Sequence, residues 1–182
     1  AGGFSNGRGP LRKTATHFSG DRSGVVAVAG GGDAAGLKAK LDALHGDIRG
    51  VISIGLGGAL SPHLKVGDMV IGERIVAGSE TWACDNAWRV ALAARLGGAH
   101  QGAIAGSDVV LENAAAKSAL FELSGGALAV DMESQVAARF AMARELPLAA
   151  LRLISDDADH ALPPAALVAM RPDGGLAIGR VL

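Results

Sequence analysis

Tyrosine is absent from the 182-residue sequence, cysteine occurs once, and the remaining aromatics are four Phe and two Trp. A core with so few large rings must be filled by Ala, Val and Leu, while 27 glycines let chain segments approach closely. That composition suits helices lying on a sheet. A lone Cys84 excludes an internal disulfide and points to a reducing compartment. With a formal net charge of −1 there is no surplus of positive charge to attract nucleic acid or an anionic membrane surface. No apolar run approaches the ~18 residues that mark a transmembrane helix. The N-terminal stretch also lacks the apolar centre of a signal peptide. The expected location is the cytoplasm. The first residue is not Met, so a processed or incomplete chain is expected.

Several chemistries lack their pattern. His17, His45, His63, His100 and His160 are scattered without a metal-ligand spacing such as HExxH, so no metal site is expected. Cys84 has Asp85 beside it but no His partner in view, which argues against a catalytic thiol. Ser53 and Ser61 do not sit in a GxSxG elbow.

What is present is alternation of short apolar runs with helical periodicity. Residues 1–20 hold Gly, Ser, Asn and the basic cluster Arg8, Arg12 and Lys13; they read as a loose arm, with an anion-binding loop as the alternative. Val25 to Ala29 reads as a strand ending in Gly30-Gly31-Gly32-Asp33. Amides there suit a phosphate, yet a tight turn with Asp33 as helix N-cap explains the pattern equally well. Ala34 to Leu44 reads as a helix with Leu37, Leu41 and Leu44 on one face. Val51 to Gly55 is a strand expected to run into a glycine-rich turn at Leu56 to Leu60, and Met69 to Gly72 begins another, with Ile75 and Val76 extending it. Ala87 to Leu96 reads as a helix with Val90, Ala91 and Ala94 inward, flanked by Trp82 and Trp88 as packing residues. Gly102 to Ala105 is a strand ending at Ser107-Asp108; Ala114 to Leu123 is a helix behind Asn113; Ala149 to Ile154 is a last strand ending at Ser155-Asp156, with Asp157 and Asp159 read as solvated. Pro163-Pro164 precedes a short helix expected over 165–170. No repeat or linker divides the chain, so a single domain over 1–182 is expected.

The stretch from Leu128 to Arg144 organises the rest. Leu128 to Val130 reads as a strand tail, and Val136, Phe140 and Ala143 mark one face of the following helix. Asp131 and Glu133 therefore lie where strand gives way to helix. They either complement the positive end of the helix or face a ligand bearing hydroxyls at a strand end. Strands alternating with helices imply an α/β fold with a mostly parallel or mixed sheet covered on both faces. Carboxylates and glycines at several strand ends suit a neutral or cationic ligand rich in hydroxyls and ring nitrogens.

Three segments in order, VISIGLGGALSPHLKVGDMVIGE, GAIAGSDVVL and AVDMESQVAARFAMARELPLAALRLISDDAD, resemble the superfamily of purine nucleoside phosphorylases and methylthioadenosine/S-adenosylhomocysteine nucleosidases. GALAVDMESQVAAR and LPPAALVAMRPDG look most like its hopanoid-associated branch. The resemblance implies a three-layer α/β/α sandwich around a central mixed, twisted sheet. It implies cleavage of the N-glycosidic bond of a 5′-substituted adenosine, an adenosylated hopane in that branch, with release of adenine. Phosphorolysis is the first expectation, hydrolysis the alternative, and a silent nucleoside-binding protein on the same scaffold the third. Carried over by motif, Asp156 is the general acid facing purine N7, Met132 and Glu133 hold the ribose, and Ser107, Val110, Leu111 and Ser155 line the base. Backbone amides of Gly31, Gly32, Gly57 and Gly58 are candidates for phosphate or the attacking water. No cofactor is implied beyond inorganic phosphate as co-substrate. The implied partners are a small nucleoside and further copies of the chain, as a dimer or hexamer, with transient membrane proximity for a hopanoid substrate.

The chain departs from the family pattern where phosphate is held. Relatives place an Arg and a Ser where this chain has Ser53 and Leu56. A leucine side chain cannot bind an oxyanion, so the basic cluster at Arg8 and Arg12 is the other candidate. Val110 stands where nucleosidases have a stacking aromatic. The family's N-terminal water-activating Glu has no counterpart in residues 1–20, and relatives continue with one more helix beyond Leu182.

Overall fold

A computed structural model describes residues 24–160. The arm expected over 1–20, the basic cluster, His17 and the helix expected over 165–170 lie outside the described residues. The described elements are α1 (Ala34–Asp42), β1 (Val51–Ala59), β2 (Met69–Ala77), β3 (Glu80–Ala83), α2 (Asn86–Arg95), β4 (His100–Gly106), α3 (Ala114–Leu123), β5 (Ala129–Asp131), α4 (Ser134–Ala143) and β6 (Leu148–Asp156). The fold is α/β with a central mixed sheet, as expected.

The sheet runs β3-β2-β4-β5-β1-β6, and β6 returns to pair with β2. Five strands thus close into a ring. Two of its ladders are antiparallel, β1 with β5 and β2 with β6, and the other three are parallel. β2 divides one edge between two neighbours: Met69 to Ile71 face β6, while Arg74 to Ala77 face β3. Val70, Ile71, Ile75, Ile104, Ala129, Ala150 and Ile154 are buried in the sheet, and because the adjacent Val70 and Ile71 point to opposite faces, both faces of β2 are covered there. Helix α4 packs over β1, β2, β4 and β6. Its Val136 and Phe140 interlock with Leu37 and Leu41 of α1, the apolar faces read from the sequence.

Helix starts follow local rules. Asp33 accepts from Gly36 N at 2.9 Å, Asp85 from Trp88 N at 2.9 Å, and Asn113 from Ala116 N at 2.9 Å. Each is an N-cap side chain satisfying an amide that the first turn leaves unpaired.

Three expectations are corrected, and one strand is new. Val25 to Ala29 forms no strand; Val25 and Val26 are exposed, and no ladder partner exists for them among the described residues. β propensity has no effect without an edge to join, and ring closure occupies the edges nearby. The glycine-rich turn at Leu56 to Gly58 is instead the second half of β1, with a register shift between Gly57 and Gly58. The inner face of α2 is carried by Trp88, Leu92 and Ala93, whereas Val90, Ala91 and Ala94 are exposed. β3, which has no apolar run, was not anticipated. Trp82 on it is buried in the main core, and Trp88 packs against Gly50.

Part of one face of the sheet, along β1 and the end of β6, stays uncovered among the described residues. Ile52, Ile54 and Leu56 of β1 and Leu153 of β6 form an apolar strip on it.

Candidate active site

The glycines of β1 bring the motifs together. Gly58 pairs with Val130 on one side and with Asp156 on the other. Two strand spacings put those neighbours about 10 Å apart. Val130 lies three residues before Glu133, so the strand leading to Met132-Glu133 and the strand ending at Asp156 flank β1 on opposite sides. A Cβ on Gly58 would stand 2.9 Å from Asp156 Oδ2, so a side chain there would displace the carboxylate.

Asp131 fixes the strand-to-helix junction. Its Oδ2 accepts from Glu133 N at 3.1 Å and Ser134 N at 2.9 Å, and its Oδ1 accepts from the Ser134 hydroxyl. Arg152 Nη2 donates to the same carboxylate and to Ser53 Oγ at 2.7 Å, while Nη1 donates to Ser53 O at 2.9 Å. Asp131 is therefore a structural acid, paired in the interior and capping α4. Of the two readings of this carboxylate pair, Asp131 takes the first. Arg152 Nε is the one buried side-chain polar atom among the described residues without a partner.

Glu133 makes an unanticipated contact. Its Oε1 accepts from Gly32 N at 2.6 Å. Gly31 and Gly32 have φ of 70° and 77°, a left-handed backbone that glycine supplies without strain. A Cβ on Gly30 would lie 2.5 Å from Glu133 Cγ. The first glycine-rich segment is thus a cradle for Glu133. Gly57 and Gly58 lie inside the β1 ladders. Of the amides at Gly31, Gly32, Gly57 and Gly58, that of Gly32 is taken up by Glu133.

The segment expected to line the base is tied to the same helix. Gln135 is buried and donates from Nε2 to Asp108 Oδ1 at 2.7 Å. Ser107 folds back, its hydroxyl donating to Val109 O at 2.6 Å. Val110 and Leu111 are half-buried, and Leu111 packs on the cluster of Leu60, Ala105 and Val130. Met132 is half-buried beside Glu133.

Asp156 ends β6 with its side chain 13 % exposed, against a Lys117 side chain that is 1 % exposed. Lys117 Nζ donates to Asp156 Oδ2 at 2.5 Å, to Asp157 O at 2.6 Å and to His160 O at 3.0 Å. Ser155 Oγ lies 2.7 Å from Asp156 Oδ1 and 3.2 Å from Gly57 O. Sequence reasoning missed Lys117 altogether. Next to this site, Asp157, Asp159 and His160 bring ligand atoms within 4.8 Å of one another on the turn after β6. Asp157 Oδ1 there accepts from Val66 N at 2.9 Å and Oδ2 lies 3.7 Å from Lys65 Nζ. Asp157 is thus bound to its neighbours rather than solvated, as the sequence had suggested.

Among the other candidates, Cys84 is half-buried, and burial pushes its thiol up to about 11. His45, His63 and His100 make no shared cluster among the described residues. No described helix is long and apolar enough to cross a membrane.

Comparison with known proteins bears on the family and the fold. The sequence profile of the phosphorylase superfamily matches residues 20–172. Among solved structures, the chain is similar to a 5′-methylthioadenosine/S-adenosylhomocysteine nucleosidase from S. pneumoniae with a transition-state inhibitor, at 24 % identity and a TM-score of 0.64, over 75 % of this chain and 68 % of that one. The Campylobacter jejuni nucleosidase of the same name gives 21 % identity and a TM-score of 0.56, over 63 % and 58 % of the two chains. A futalosine hydrolase mutant from Helicobacter pylori gives 20 % and 0.56, over 63 % and 60 %. The chain spans 58 to 68 % of the length of these three relatives, and at such identities the likeness shows the fold. No curated protein matches the chain.

Proposed function

Because the chain belongs to the phosphorylase superfamily, we propose that it cleaves the N-glycosidic bond of an adenosine derivative and releases adenine. The observation that supports this reading is the position of Gly58, flanked by Asp156 on one side and by the strand leading to Met132-Glu133 on the other. Breaking C1′–N9 sends an electron pair to the purine and leaves an oxocarbenium-like ribose. A proton passed from Asp156 to N7 neutralises the first charge. Glu133, cradled by Gly30 to Gly32, accepts hydrogen bonds from ribose hydroxyls and steadies the second. Gln135, through Asp108, fixes the base-lining segment to the helix that carries Glu133.

Water is the acceptor this reading favours. The Gly32 amide is taken by Glu133 and Gly57 and Gly58 lie within ladders, which speaks against a phosphate cradle built on these amides. Phosphorolysis is the second reading and rests on Arg8, Arg12 and Lys13, which lie outside the described residues. The 5′ substituent is proposed to be large and apolar, an adenosylated hopane, on the resemblance of GALAVDMESQVAAR and LPPAALVAMRPDG to that branch.

The test is incubation of the chain with 5′-substituted adenosines, with and without inorganic phosphate. Free adenine without phosphate is the expected result. Adenine only with phosphate selects phosphorolysis, and no adenine in either condition rejects the enzyme.

A further inference from the structure

We propose that Lys117 is the positioning residue of the acid, an inference that rests on the reading of Asp156 above. Three observations carry it. Lys117 lies on α3, far along the chain from β6, yet its ammonium meets Asp156 Oδ2 at 2.5 Å. Its side chain is 1 % exposed, so water cannot substitute for that contact. Its other two donors go to Asp157 O and His160 O, so all three ammonium hydrogens are used and point at one short segment. A buried lysine with a single carboxylate counterion is costly as a structural brace, since an apolar side chain would fill that space at lower cost.

The division of labour follows. Lys117 holds Oδ2 and so fixes the carboxyl plane; Gly58 leaves the room in which that plane lies. Oδ1, with the Ser155 hydroxyl 2.7 Å away, is the oxygen that serves the purine. With substrate bound, Asp156 carries a proton on Oδ1 while Oδ2 keeps its Lys117 contact; in the bond-breaking step that proton passes to N7, the C1′–N9 electron pair goes to the purine, and Asp156 returns to the carboxylate that pairs with Lys117. Lys117 stays an ammonium throughout and offsets the charge Asp156 has just acquired. The acceptor forms its bond to C1′, and the proton it releases restores the acid. The other charged groups on the segment that Lys117 braces are Asp157, which is 3.7 Å from Lys65, together with Asp159 and His160. None of them lies between Lys117 and Asp156.

The deciding experiment compares two substrates whose leaving groups differ in their need for a proton. One is a 5′-substituted adenosine, which departs protonated at N7; the other is 4-nitrophenyl β-D-riboside, whose phenolate departs without help. For Lys117→Met, kcat on the adenosine should fall by on the order of 10²-fold or more, while kcat on the nitrophenyl riboside stays within about threefold of the parent chain. Lys117→Arg, which keeps the cation, should recover part of the loss. In an Asp156→Asn background, Lys117→Met should cost nothing further, because the group it acts through is already gone. Equal losses on both substrates, or a further loss in the Asp156→Asn background, overturn the inference and leave a structural brace. Full activity of Lys117→Met on the adenosine overturns it as well. If the parent chain cleaves neither substrate, the underlying reading of the site fails and this inference fails with it.

Discussion

Arg152 reaches Asp131 by crossing over β1 at Gly57. The two residues stand on strands that flank β1 on opposite sides, and a Cβ on Gly57 would lie 3.4 Å from Arg152 Cγ and Cδ and 2.9 Å from Val130 O. The missing side chain is the passage through which the guanidinium reaches its partner. Both partners are 1 % exposed, so this pair is a closed interior contact and not a surface one.

Removing one member of such a pair leaves a buried charge without compensation. Arg152→Met should lower stability by about 3–5 kcal/mol, read as a lower urea midpoint with an unchanged slope. Because Asp131 also holds the amides of Glu133 and Ser134, activity should fall together with stability. Replacing both members with apolar residues of similar volume should recover much of the loss. A single variant as stable as the parent would show that the pair does not hold the junction.

The two carboxylates proposed to act on the nucleoside should fail in different ways. Asp156→Asn keeps an oxygen for Lys117 and should keep the fold, with kcat lowered by on the order of 10²–10⁴. Glu133→Gln keeps an acceptor for Gly32 but loses the charge offered to the sugar, and should lower kcat/KM by roughly 10- to 100-fold, the worth of a charged hydrogen bond. On a 2′,3′-dideoxy substrate the Glu133→Gln loss should vanish, since no hydroxyl remains to be held. Steady-state kinetics on the two sugars check this, and an unchanged loss on the dideoxy compound would remove Glu133 from the ribose contact.

Cys84 gives a pH dependence with a definite sign. Burial first, opposed by a hydrogen bond from the Ala150 backbone and by Arg89, moves its thiol from about 9 to about 11. The folded chain therefore holds this proton more tightly than the unfolded chain. The contribution to stability is complete below about pH 9 and is lost as pH rises toward 11. Alkylation by iodoacetamide at pH 8 should be slow in the folded chain and fast in urea. Rapid labelling of the folded chain would contradict the burial.

Much of this was legible in the sequence because it is local. The caps at Asp33 and Asn113 need only a side chain three residues before an amide, and the pairing of α1 with α4 follows from two apolar stripes. What escaped notice depends on residues brought together from far apart. Lys117 sits in AAAKSAL and reads as a solvated helix lysine, although Leu120 and Phe121, three and four residues on, share its face and pack into the core. Arg152 sits in AALRLI, where strand alternation places it with buried Leu148, Ala150 and Ile154. In both cases a charge on an apolar row was the available signal, and only the partner's position was missing. Gly57 and Gly58 misled for the opposite reason: paired glycines read as a turn, whereas here they make room for Arg152 and Asp156.

The return of β6 to β2 has one more consequence. Since β2 gives one half of an edge to β6 and the other to β3, the ring of strands has no seam along which it can unzip. Peeling any member of the ring away would rupture two rows of amide-to-carbonyl bonds together. Under the proposed function, entry of a nucleoside and escape of its products fall to the connecting segments at 30–33, 107–113 and 157–160, above the closed ring of strands.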